Sequence, residues 1–412
     1  MRFNTLIIGA GPSGCAAALK LATLGISSIL VDKETFPRDK ICGDALSGKT
    51  VDAIKKINKD WVTELAEMST AIGSYGVVFS APNGAKLRLP FSPNYSHRAP
   101  APGFVSKRID FDNWLVEKVR KEPRITFLEN IELRKFSFSD KIWTATTTSG
   151  QEFKADFVIA ADGANSTFAK DIAGLQTEDA HNAFGIRAYY KGVQNMDTQN
   201  FIELHFVDEL LPGYFWIFPL PNGEANVGAG IRADHQKAKK INLKQSIESI
   251  VKNHPDFKDR FKDATLVSPI KLFGLPLGSK KRILYGEHFL LIGDAAMLID
   301  PFTGEGIGNG MISGIIAAQT VAAFIENPSK EKLITYQATI ERQLGSELRL
   351  SSRLQQLANY PRLFNFVVKT AANNSALQDT FSTMFYDVNI RAKLKNPLFY
   401  IELLFSSFKS KK

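Results

Sequence analysis

Three glycines near the start of the chain have the spacing of a phosphate-binding turn. Gly9, Gly11 and Gly14 form the pattern G-x-G-x-x-G between the apolar run "NTLII" and the alanine-rich run "CAAALKLA". Gly9 permits a tight turn, Gly11 lets the backbone approach a pyrophosphate, and Gly14 lets a helix pack on the preceding strand. Asp32 ends the next apolar run, where an acidic residue accepts hydrogen bonds from a ribose. Together these features predict a dinucleotide-binding unit.

A second glycine-rich segment, "IGDAAMLIDPFTGEGIG", occupies residues 292–308. It opens with Gly293 and Asp294, and Gly304 and Gly306 precede Ile307, where a long apolar helix is expected to begin. Small residues at a helix start let backbone N–H groups approach a flat ring, and a helix amino terminus stabilises negative charge. The alternative, a loop that only packs, leaves Asp294 and the glycine spacing unexplained.

Aromatic residues cluster in "PGYFWIFPLPNG", residues 212–223. Alternation along a strand places Tyr214, Trp216 and Phe218 on one face, with Phe215 and Ile217 on the other. The Asn-Gly pair predicts a hairpin turn. The segment is compatible both with a plain core hairpin and with one wall of an apolar active site.

The stretch "GDALSGKT", residues 43–50, matches the phosphate-loop pattern G-x-x-x-x-G-K-[ST]. A true phosphate loop directly follows a buried strand, whereas the polar stretch "KETFPRDKIC", which contains Pro37, comes before this one. We therefore interpret residues 43–50 as a loop leading into a helix and not as a nucleotide-hydrolysing site.

The elements that would position these residues predict an α/β (α+β) fold. A discontinuous Rossmann-like cofactor domain is assigned to residues 1–70, 101–175 and 280–330. It includes the amphipathic helix "SKRIDFDNWLVEKV", with Arg108 near its start, and the buried strand "ADFVIAADGANS", which ends at Asp162 and Gly163. A substrate domain with an antiparallel sheet is assigned to residues 71–100 and 176–279, and a helical region to residues 331–412.

Composition excludes several classes of protein. The two cysteines are far apart in sequence, which fits a reducing cytoplasm without structural disulfides. The six histidines are scattered, so no metal site is expected. No run of about 18 uninterrupted apolar residues occurs, so no transmembrane helix is expected. The net charge of +9 is spread along the chain without a nucleic-acid-binding motif, so no nucleic-acid partner is expected.

The carboxyl-terminal stretch "NPLFYIELLFSSFKSKK" combines apolar residues with a lysine-rich tip. Such a segment can dock peripherally on the inner face of the cell membrane through its apolar side chains and lysines. The alternative is a helix packed on the protein body with a frayed basic end. The sequence leaves both open, and it does not indicate an oligomeric state.

The motifs "GAGPSG" with Asp32, "AADGANS" and "IGDAAMLIDPFTGEGIG", in this order, resemble those of the flavin monooxygenase and geranylgeranyl reductase superfamily. The fold of that superfamily is the fold of para-hydroxybenzoate hydroxylase. The resemblance covers residues 1–330 and implies bound FAD. It further implies that Asp294 bonds the ribityl chain, that Asp162 and Gly163 support the pyrophosphate side, and that Arg108 lies beside the FAD.

Two stretches narrow the resemblance to geranylgeranyl reductases. Tyr214-x-Trp216-x-Phe218-Pro219 matches their Y-x-W-x-F-P motif, whereas flavin halogenases carry W-x-W-x-I-P. "KICGDALSGK" is similar to their cysteine-glycine segment, which implies that Cys42 lies near the flavin. The resemblance thus makes Tyr214, Trp216 and Phe218 substrate-binding residues. Cys42 or Tyr214 would relay a proton, although a cysteine in an apolar wall is also an ordinary packing residue.

The expected activity is reduction of isolated C=C bonds in a prenyl, geranylgeranyl-type chain by hydride from FADH₂. One alternative is a flavin-dependent monooxygenase that hydroxylates an aromatic or lipophilic substrate. Another is a non-catalytic flavoprotein that binds prenyl lipids or passes electrons. No second complete dinucleotide fingerprint is present, so either NAD(P)H would bind only transiently as electron donor or a ferredoxin-like donor would serve.

Overall fold

The computed structural model describes residues 2–91 and 100–374, and Gln378. Its strands are β1 (Arg2–Ile8), β2 (Ser28–Val31), β3 (Ala45–Leu46), β4 (Ala71–Ser74), β5 (Gly76–Ser80), β6 (Lys86–Pro90), β7 (Gly103–Ser106), β8 (Ile125–Leu128), β9 (Leu133–Ser139), β10 (Ile142–Thr147), β11 (Glu152–Ala160), β12 (Asn182–Lys191), β13 (Ile202–His205), β14 (Tyr214–Pro219), β15 (Glu224–Arg232), β16 (Thr265–Leu266), β17 (Lys271–Pro276), β18 (Tyr285–Gly286) and β19 (Phe289–Leu291).

The α-helices are α1 (Pro12–Thr23), α2 (Gly48–Ile57), α3 (Trp61–Glu67), α4 (Arg108–Arg120), α5 (Thr167–Asp171), α6 (Ala233–Lys239), α7 (Leu243–Asn253), α8 (Lys258–Phe261), α9 (Ile307–Glu326), α10 (Lys330–Ile340), α11 (Ser346–Leu357) and α12 (Pro361–Ala372). The α/β class predicted from the sequence is confirmed.

The first sheet is the Rossmann-like unit. Its strands β8, β2, β1, β11 and β19 are parallel and lie side by side in that order, and β18 runs antiparallel at the edge. β2 is buried along its whole length, and β1 is buried over its last four residues. Such short apolar runs are typical of parallel strands covered on both faces. β9 and β10 extend the first half of β11 as an antiparallel meander.

The second sheet has the order β16, β12, β15, β14, β13, β5 and β6, with β17 also paired to β12. Its neighbours are antiparallel except for β5 and β13. The "APNGA" stretch joins β5 to β6 as the hairpin that the sequence predicted. Residues 71–74, which the sequence interpretation assigned to the same sheet domain, do not join this sheet. β4 pairs with β7, and β7 pairs with β3, in a separate three-stranded sheet.

Three helices, α6 to α8, occupy a region that the sequence interpretation treated as mostly strand. In α7, the buried residues Leu243, Ile247 and Ile250 recur at helical spacing. They pack in one cluster with Phe215 and Ile217 of the second sheet. The apolar period of α7 was therefore present in the sequence, and the lysines and polar residues between its members concealed it.

Helix α9 packs closely against α1 through glycines. A Cβ atom on Gly314 would lie 2.4 Å from the Ser13 carbonyl oxygen, and one on Gly310 would lie 2.3 Å from Ser13 Oγ. Of the described residues, α9 is the one helix long and apolar enough to cross a membrane, and 78% of its apolar window is buried inside the protein. It is the central core helix of the first domain.

The carboxyl-terminal helices α11 and α12 approach the second sheet. The Phe364 ring of α12 lies 4.6 Å, centroid to centroid, from the ring of Phe206, which follows β13. The helical character expected from residue 331 onwards holds as far as Ala372. The segment "NPLFYIELLFSSFKSKK" and residues 92–99 lie outside the described residues.

Candidate active site

A cavity of about 790 Å³ runs between the two large sheets and α11–α12. One part is lined by the predicted dinucleotide-binding elements, and the other by apolar side chains of the second sheet and the carboxyl-terminal helices. The apolar part comprises Val77, Phe79, Leu87, Leu89, Phe91, Ile202, Leu204, Tyr214, Trp216, Phe218, Phe302, Leu350, Leu354, Leu357, Phe364, Val367 and Val368.

The structure brings most of the predicted site residues to this cavity. The lining residues among them are Gly9, Gly11, Asp32, Cys42, Arg108, Asp162, Gly163, Tyr214, Trp216, Phe218, Asp294, Gly304, Gly306 and Ile307. Gly14 and Gly293 are placed behind the cavity wall. A Cβ atom on Gly14 would lie 1.9 Å from the Gly9 carbonyl oxygen, and one on Gly293 would lie 2.3 Å from Ser13 Oγ. These two glycines therefore permit close packing between elements.

The first glycine turn has the shape of a phosphate cradle. Gly9 has a φ of +100° and donates its N–H to the Val31 carbonyl oxygen at 2.7 Å. At Gly11 the backbone is extended, and the nearest atom to an added Cβ would be Arg38 Nη2 at 3.8 Å. The protein thus leaves open space beside Gly11 at the start of α1, where the N–H groups of a helix can bind phosphate.

Asp32 is fixed at the edge of this cradle. Its carboxylate accepts hydrogen bonds from the Ala10 N–H at 2.6 Å and from the Glu34 N–H at 2.9 Å. Burial raises the pKa of the carboxyl group, and the two N–H donors oppose that effect. Each carboxylate oxygen has a second lone pair, so both oxygens remain able to accept a ribose hydroxyl.

Asp294 differs from Asp32 in its surroundings. It lies in a short 3₁₀ turn, Gly293–Ala296, and lines the cavity. Within residues 2–91 and 100–374, no hydrogen bond or ion pair is made to its carboxylate. A carboxylate that faces a cavity without a protein partner is well suited to bind a hydroxyl-rich ligand chain.

The glycine-rich loop after Asp294 is shaped by Asp300, a residue that sequence reasoning missed. One Asp300 carboxylate oxygen accepts the N–H of Phe302 at 3.0 Å and that of Thr303 at 2.8 Å. Gly304 follows with a φ of +75°. The signal that could have identified Asp300 is the local pattern Asp-x-x-Thr, in which an aspartate caps its own turn.

Asp162 and Gly163 support the cradle from behind. A Cβ atom on Gly9 would lie 2.5 Å from the Ala161 carbonyl oxygen and 3.1 Å from Asp162 Cα. The Asp162 carboxylate accepts hydrogen bonds from Ser166 Oγ at 2.5 Å and from the Phe168 N–H at 3.3 Å. Its carboxylate is therefore bound to the start of α5, and it is the backbone of this segment that packs on the first glycine turn.

Arg108 is buried at the cavity wall and held by Asp112. Its Nε and Nη2 atoms donate to the two Asp112 carboxylate oxygens at 2.6 and 2.7 Å. Arg38 donates to the same carboxylate at 2.6 Å. The Arg108 guanidinium also neighbours the Cys42 thiol, where it acts against the burial that raises the pKa of that thiol. Cys42 therefore carries its proton at neutral pH.

Strand β14 presents its aromatic face to the cavity. Tyr214, Trp216 and Phe218 line it, while Phe215 and Ile217 are fully buried in a separate cluster on the opposite face. Tyr214 donates its hydroxyl to the Thr303 carbonyl oxygen at 2.7 Å, which joins the aromatic strand to the glycine-rich loop.

The hairpin predicted by the Asn-Gly pair is present between β14 and β15. Asn222 and Gly223 have φ values of 60° and 70°. Gly43 lies against this hairpin, because a Cβ atom there would come within 2.9 Å of the Phe218 ring.

Residues 43–50 do not form a phosphate loop. β3 is two residues long and pairs with β7, and α2 begins at Gly48. Lys49 forms an ion pair with Glu347 of α11 and donates to Asn309 Oδ1 at 3.0 Å. The lysine that would bind phosphate in such a loop therefore joins α2 to α9 and α11.

Sequence reasoning missed a buried polar group beside Cys42, formed by Asp44, Tyr189 and Asn226. The Asp44 carboxylate accepts hydrogen bonds from Tyr189 Oη at 2.8 Å and from Asn226 Nδ2 at 2.7 Å. Burial raises the pKa of Asp44 to about 6, and nearby Arg187 opposes the effect. No local pattern in the sequence predicts that these three residues meet, since strand register places Tyr189 beside Asn226 and the fold brings the loop at Asp44 to both.

Comparison of the sequence with known proteins identifies the family to which the chain belongs. Residues 2–344 match the FAD-binding domain family. The chain is 26% identical to the menaquinone reductase of Mycobacterium tuberculosis over 91% of its length and 89% of the relative's. It is 30% identical to the digeranylgeranylglycerophospholipid reductase of Methanocaldococcus jannaschii over 81% of each chain.

The same fold occurs in a solved structure, that of a geranylgeranyl bacteriochlorophyll reductase-like protein from Thermoplasma acidophilum. The two structures superpose with a TM-score of 0.79 at 21% sequence identity, over 96% of this chain and 98% of the other. Gly11, Asp294 and the glycine-rich loop at Gly304 and Gly306 line one cavity of this fold. The chain therefore belongs to the FAD-binding domain family and, within it, to the geranylgeranyl reductase-like FAD-dependent oxidoreductases.

Proposed function

We propose that the protein reduces isolated C=C bonds of a prenyl, geranylgeranyl-type chain. The observation that carries the proposal is the continuity of one cavity, in which the dinucleotide cradle opens directly onto an apolar compartment walled by β14 and the carboxyl-terminal helices. The name of the relative from Methanocaldococcus jannaschii supports a substrate of this class.

The residues present fit FAD. Asp32 would hold the ribose, the space beside Gly11 the pyrophosphate, Asp294 the ribityl chain, and the loop at Gly304 and Gly306 the ring system. When bound in its reduced form, FAD would supply a hydride. The N–H groups at the start of α9, at Ile307, would then stabilise negative charge on the ring system.

The apolar compartment would bind the hydrocarbon chain and exclude water. Among the described residues, its lining between β5, β6 and α12 contains no charged side chain, so a prenyl chain would lose little on leaving the lipid phase. Isolated alkenes accept hydride poorly, and reduction develops positive charge at the tertiary carbon. The rings of Tyr214, Trp216 and Phe218 would stabilise that charge through their faces.

Cys42 is the favoured proton donor. Its thiol is protonated at neutral pH, and the Arg108 guanidinium beside it would stabilise the thiolate left after proton transfer. Tyr214 is less suited, because its hydroxyl hydrogen is already donated to the Thr303 carbonyl oxygen. Burial also raises the pKa of Tyr214 well above its ordinary value.

The test is anaerobic turnover of dithionite-reduced holoenzyme with prenyl diphosphates, prenylated quinones and geranylgeranyl lipids, read by mass spectrometry. We expect products heavier by two hydrogens for each reduced double bond. Aerobic products that gain one oxygen would instead establish a monooxygenase. Intact substrates under both conditions would indicate a lipid-binding or electron-transfer flavoprotein. Replacing dithionite with NAD(P)H in the same assay tests whether a nicotinamide serves as the electron donor.

A further inference from the structure

Asn226 joins residues 42–44 to the aromatic strand β14. It is fully buried on β15, directly opposite Phe218 of β14 on one side and Tyr189 of β12 on the other. Its Oδ1 atom accepts the indole N–H of Trp216 at 2.8 Å. Its Nδ2 atom donates to the Cys42 carbonyl oxygen at 2.8 Å and to the Asp44 carboxylate at 2.7 Å.

The chemistry of its neighbours fixes the orientation of this amide. The Trp216 indole can only donate, and the carbonyl oxygen of Cys42 can only accept, so a flipped Asn226 amide would lose both bonds. Both N–H groups and the oxygen of Asn226 are therefore engaged. A buried amide with every hydrogen bond made is a rigid connection between the groups it contacts.

Asp44 completes the connection on the side of the cysteine loop. It is fully buried and has a φ of 67°, a left-handed conformation that is unfavourable for a residue with a side chain. Its carboxylate holds that conformation by accepting the Asn226 and Tyr189 hydrogens and, at 3.3 Å, the Arg108 N–H. The backbone at residues 42–44 is thus fastened to β12, β15 and the start of α4.

We propose that Asn226 and Asp44 are positioning residues that hold the Cys42 loop against Trp216. This proposal rests on the proposed function for its meaning in catalysis, because it concerns the relative placement of the thiol and the aromatic wall in the substrate compartment. Neither residue needs to touch the substrate. Their role is to keep the proton donor and the ring at one fixed separation, since small misplacements of reacting groups reduce turnover steeply.

The variant Asn226→Asp tests the connection with little change in volume. The acid keeps an oxygen for the Trp216 N–H but replaces the amide hydrogens with a second oxygen facing two acceptors, Cys42 O and Asp44 Oδ2. Tyr189→Phe is the milder variant, since it removes one hydrogen bond to Asp44. Tyr190→Phe is the matched control, because Tyr190 is the next residue on β12 and packs in the cluster on the opposite face.

The first measurement is independent of substrate. The chain has two cysteines, and Cys15 is fully buried, so N-ethylmaleimide labelling followed by peptide mass spectrometry reports on the Cys42 thiol of the holoenzyme. We expect Asn226→Asp to raise the labelling rate of Cys42 by about tenfold or more, Tyr189→Phe to raise it less, and Tyr190→Phe to leave it unchanged. Folded Asn226→Asp and Tyr189→Phe variants that label at the wild-type rate would overturn the proposal.

The second measurement is turnover with the prenyl substrate on which the wild type is active. We expect Asn226→Asp to lower kcat by up to about 100-fold with a smaller change in KM and unchanged FAD retention. Faster labelling with wild-type kcat would overturn the positioning role. If Asn226→Asp does not fold, Tyr189→Phe decides both measurements. A wild type that reduces no prenyl substrate contradicts the proposed function, and the labelling result still decides whether the loop is held.

Discussion

Neighbouring residues of β14 lie in two different environments, the cavity on one face of the strand and a packed core on the other. Trp216 faces the cavity and bonds Asn226, whereas Phe215 and Ile217 are fully buried against α7 and its neighbours. Removal of a side chain from the cavity face enlarges a space that already exists. Removal of one from the opposite face leaves a closed hole in a packed core, which costs both transfer free energy and lost contacts.

We therefore expect different outcomes for Phe215→Ala and Trp216→Ala. Phe215→Ala should lower the free energy of unfolding by about 3–5 kcal/mol, measured by urea denaturation. Trp216→Ala should lower turnover on a long prenyl substrate while the flavin absorption spectrum stays nearly unchanged. If Trp216→Ala unfolds the protein or releases FAD as readily as Phe215→Ala, β14 is a core strand without a substrate face.

Asp44 gives the protein a predictable pH response. Its pKa of about 6 exceeds the ordinary value of 3.8 because burial disfavours the carboxylate. Between these two values the folded protein keeps a proton that the unfolded chain has released. The stabilising contribution of Asp44 is therefore complete below the lower value and is lost as the pH rises through the upper one.

Asp44→Asn removes this titration. We expect the wild type to lose about 2 kcal/mol of unfolding free energy relative to the variant between about pH 4 and pH 7. Urea denaturation of both proteins at the two pH values measures the difference, and the contributions of other titrating groups cancel between them. A difference between the proteins that is constant with pH would show that Asp44 has the same pKa in the folded and unfolded states, which would contradict the expectation.

Site residues that belong to a local sequence pattern could be predicted from the sequence. Gly9, Asp32 and Asp294 occur in motifs with fixed spacing, and the aromatic face of β14 follows from alternation. The contact between Asp44 and Asn226 follows no local rule, because the two residues are 182 positions apart and meet only when β15 lies beside residues 42–44. A lone asparagine in a strand carries no sign of its partners.

At the scale of elements, the β1–α1 unit shows two different uses of glycine. Gly14 has no room for a side chain, since its Cβ would overlap the Gly9 carbonyl oxygen. Gly11 has an ordinary extended conformation and no protein atom closer than 3.8 Å to an added Cβ. The packing of the protein therefore requires a glycine at position 14. At position 11 the protein itself has room for a side chain, and the proposed FAD would be what requires a glycine there.

Gly11→Ala and Gly14→Ala should separate these requirements. We expect Gly11→Ala to leave the thermal stability of FAD-free protein unchanged and to weaken FAD binding, because the methyl group occupies the space for the pyrophosphate. Gly14→Ala should destabilise the FAD-free protein itself. Differential scanning fluorimetry with and without FAD, together with FAD titration, measures both effects. Equal FAD affinity in Gly11→Ala and the wild type would place the pyrophosphate elsewhere.

Some elements with a local sequence signal were predicted, whereas strand pairing that depends on distant partners was not. The β5–β6 hairpin follows from the turn in "APNGA", but β4 joins β7 because of tertiary placement. α7 was overlooked although Leu243, Ile247 and Ile250 have helical spacing.

At the scale of the whole molecule, the cavity is assembled from both large sheets and the carboxyl-terminal helices. Lys49 of α2 is joined to Glu347 of α11 and to Asn309 of α9. Helix α11, which lines the apolar compartment, is therefore linked to the cofactor domain. On the proposed function a water-insoluble chain would have to enter this compartment, and approach to a lipid surface would supply it.

We propose that the tail "NPLFYIELLFSSFKSKK" provides that approach. Its apolar residues would enter the membrane interface, and Lys409, Lys411 and Lys412 would contribute about 1 kcal/mol each with anionic lipids. We expect co-flotation with anionic but not neutral vesicles, lost on deletion of residues 397–412. Alanine substitution of Lys55, Lys56 and Lys59, which are exposed in another part of the chain, is the control. Equal flotation of the truncated protein would exclude the tail.

The close packing of α1 against α9 also dictates when the protein can mature during synthesis. Ser13 and the glycines at 293, 310 and 314 come from opposite ends of the cofactor domain, so the cradle is incomplete until the ribosome has released Ile307–Glu326. Until then the apolar side of α1 lacks its partner, and the nascent chain exposes apolar surface. We therefore expect FAD to be captured only by chains that extend at least through α9.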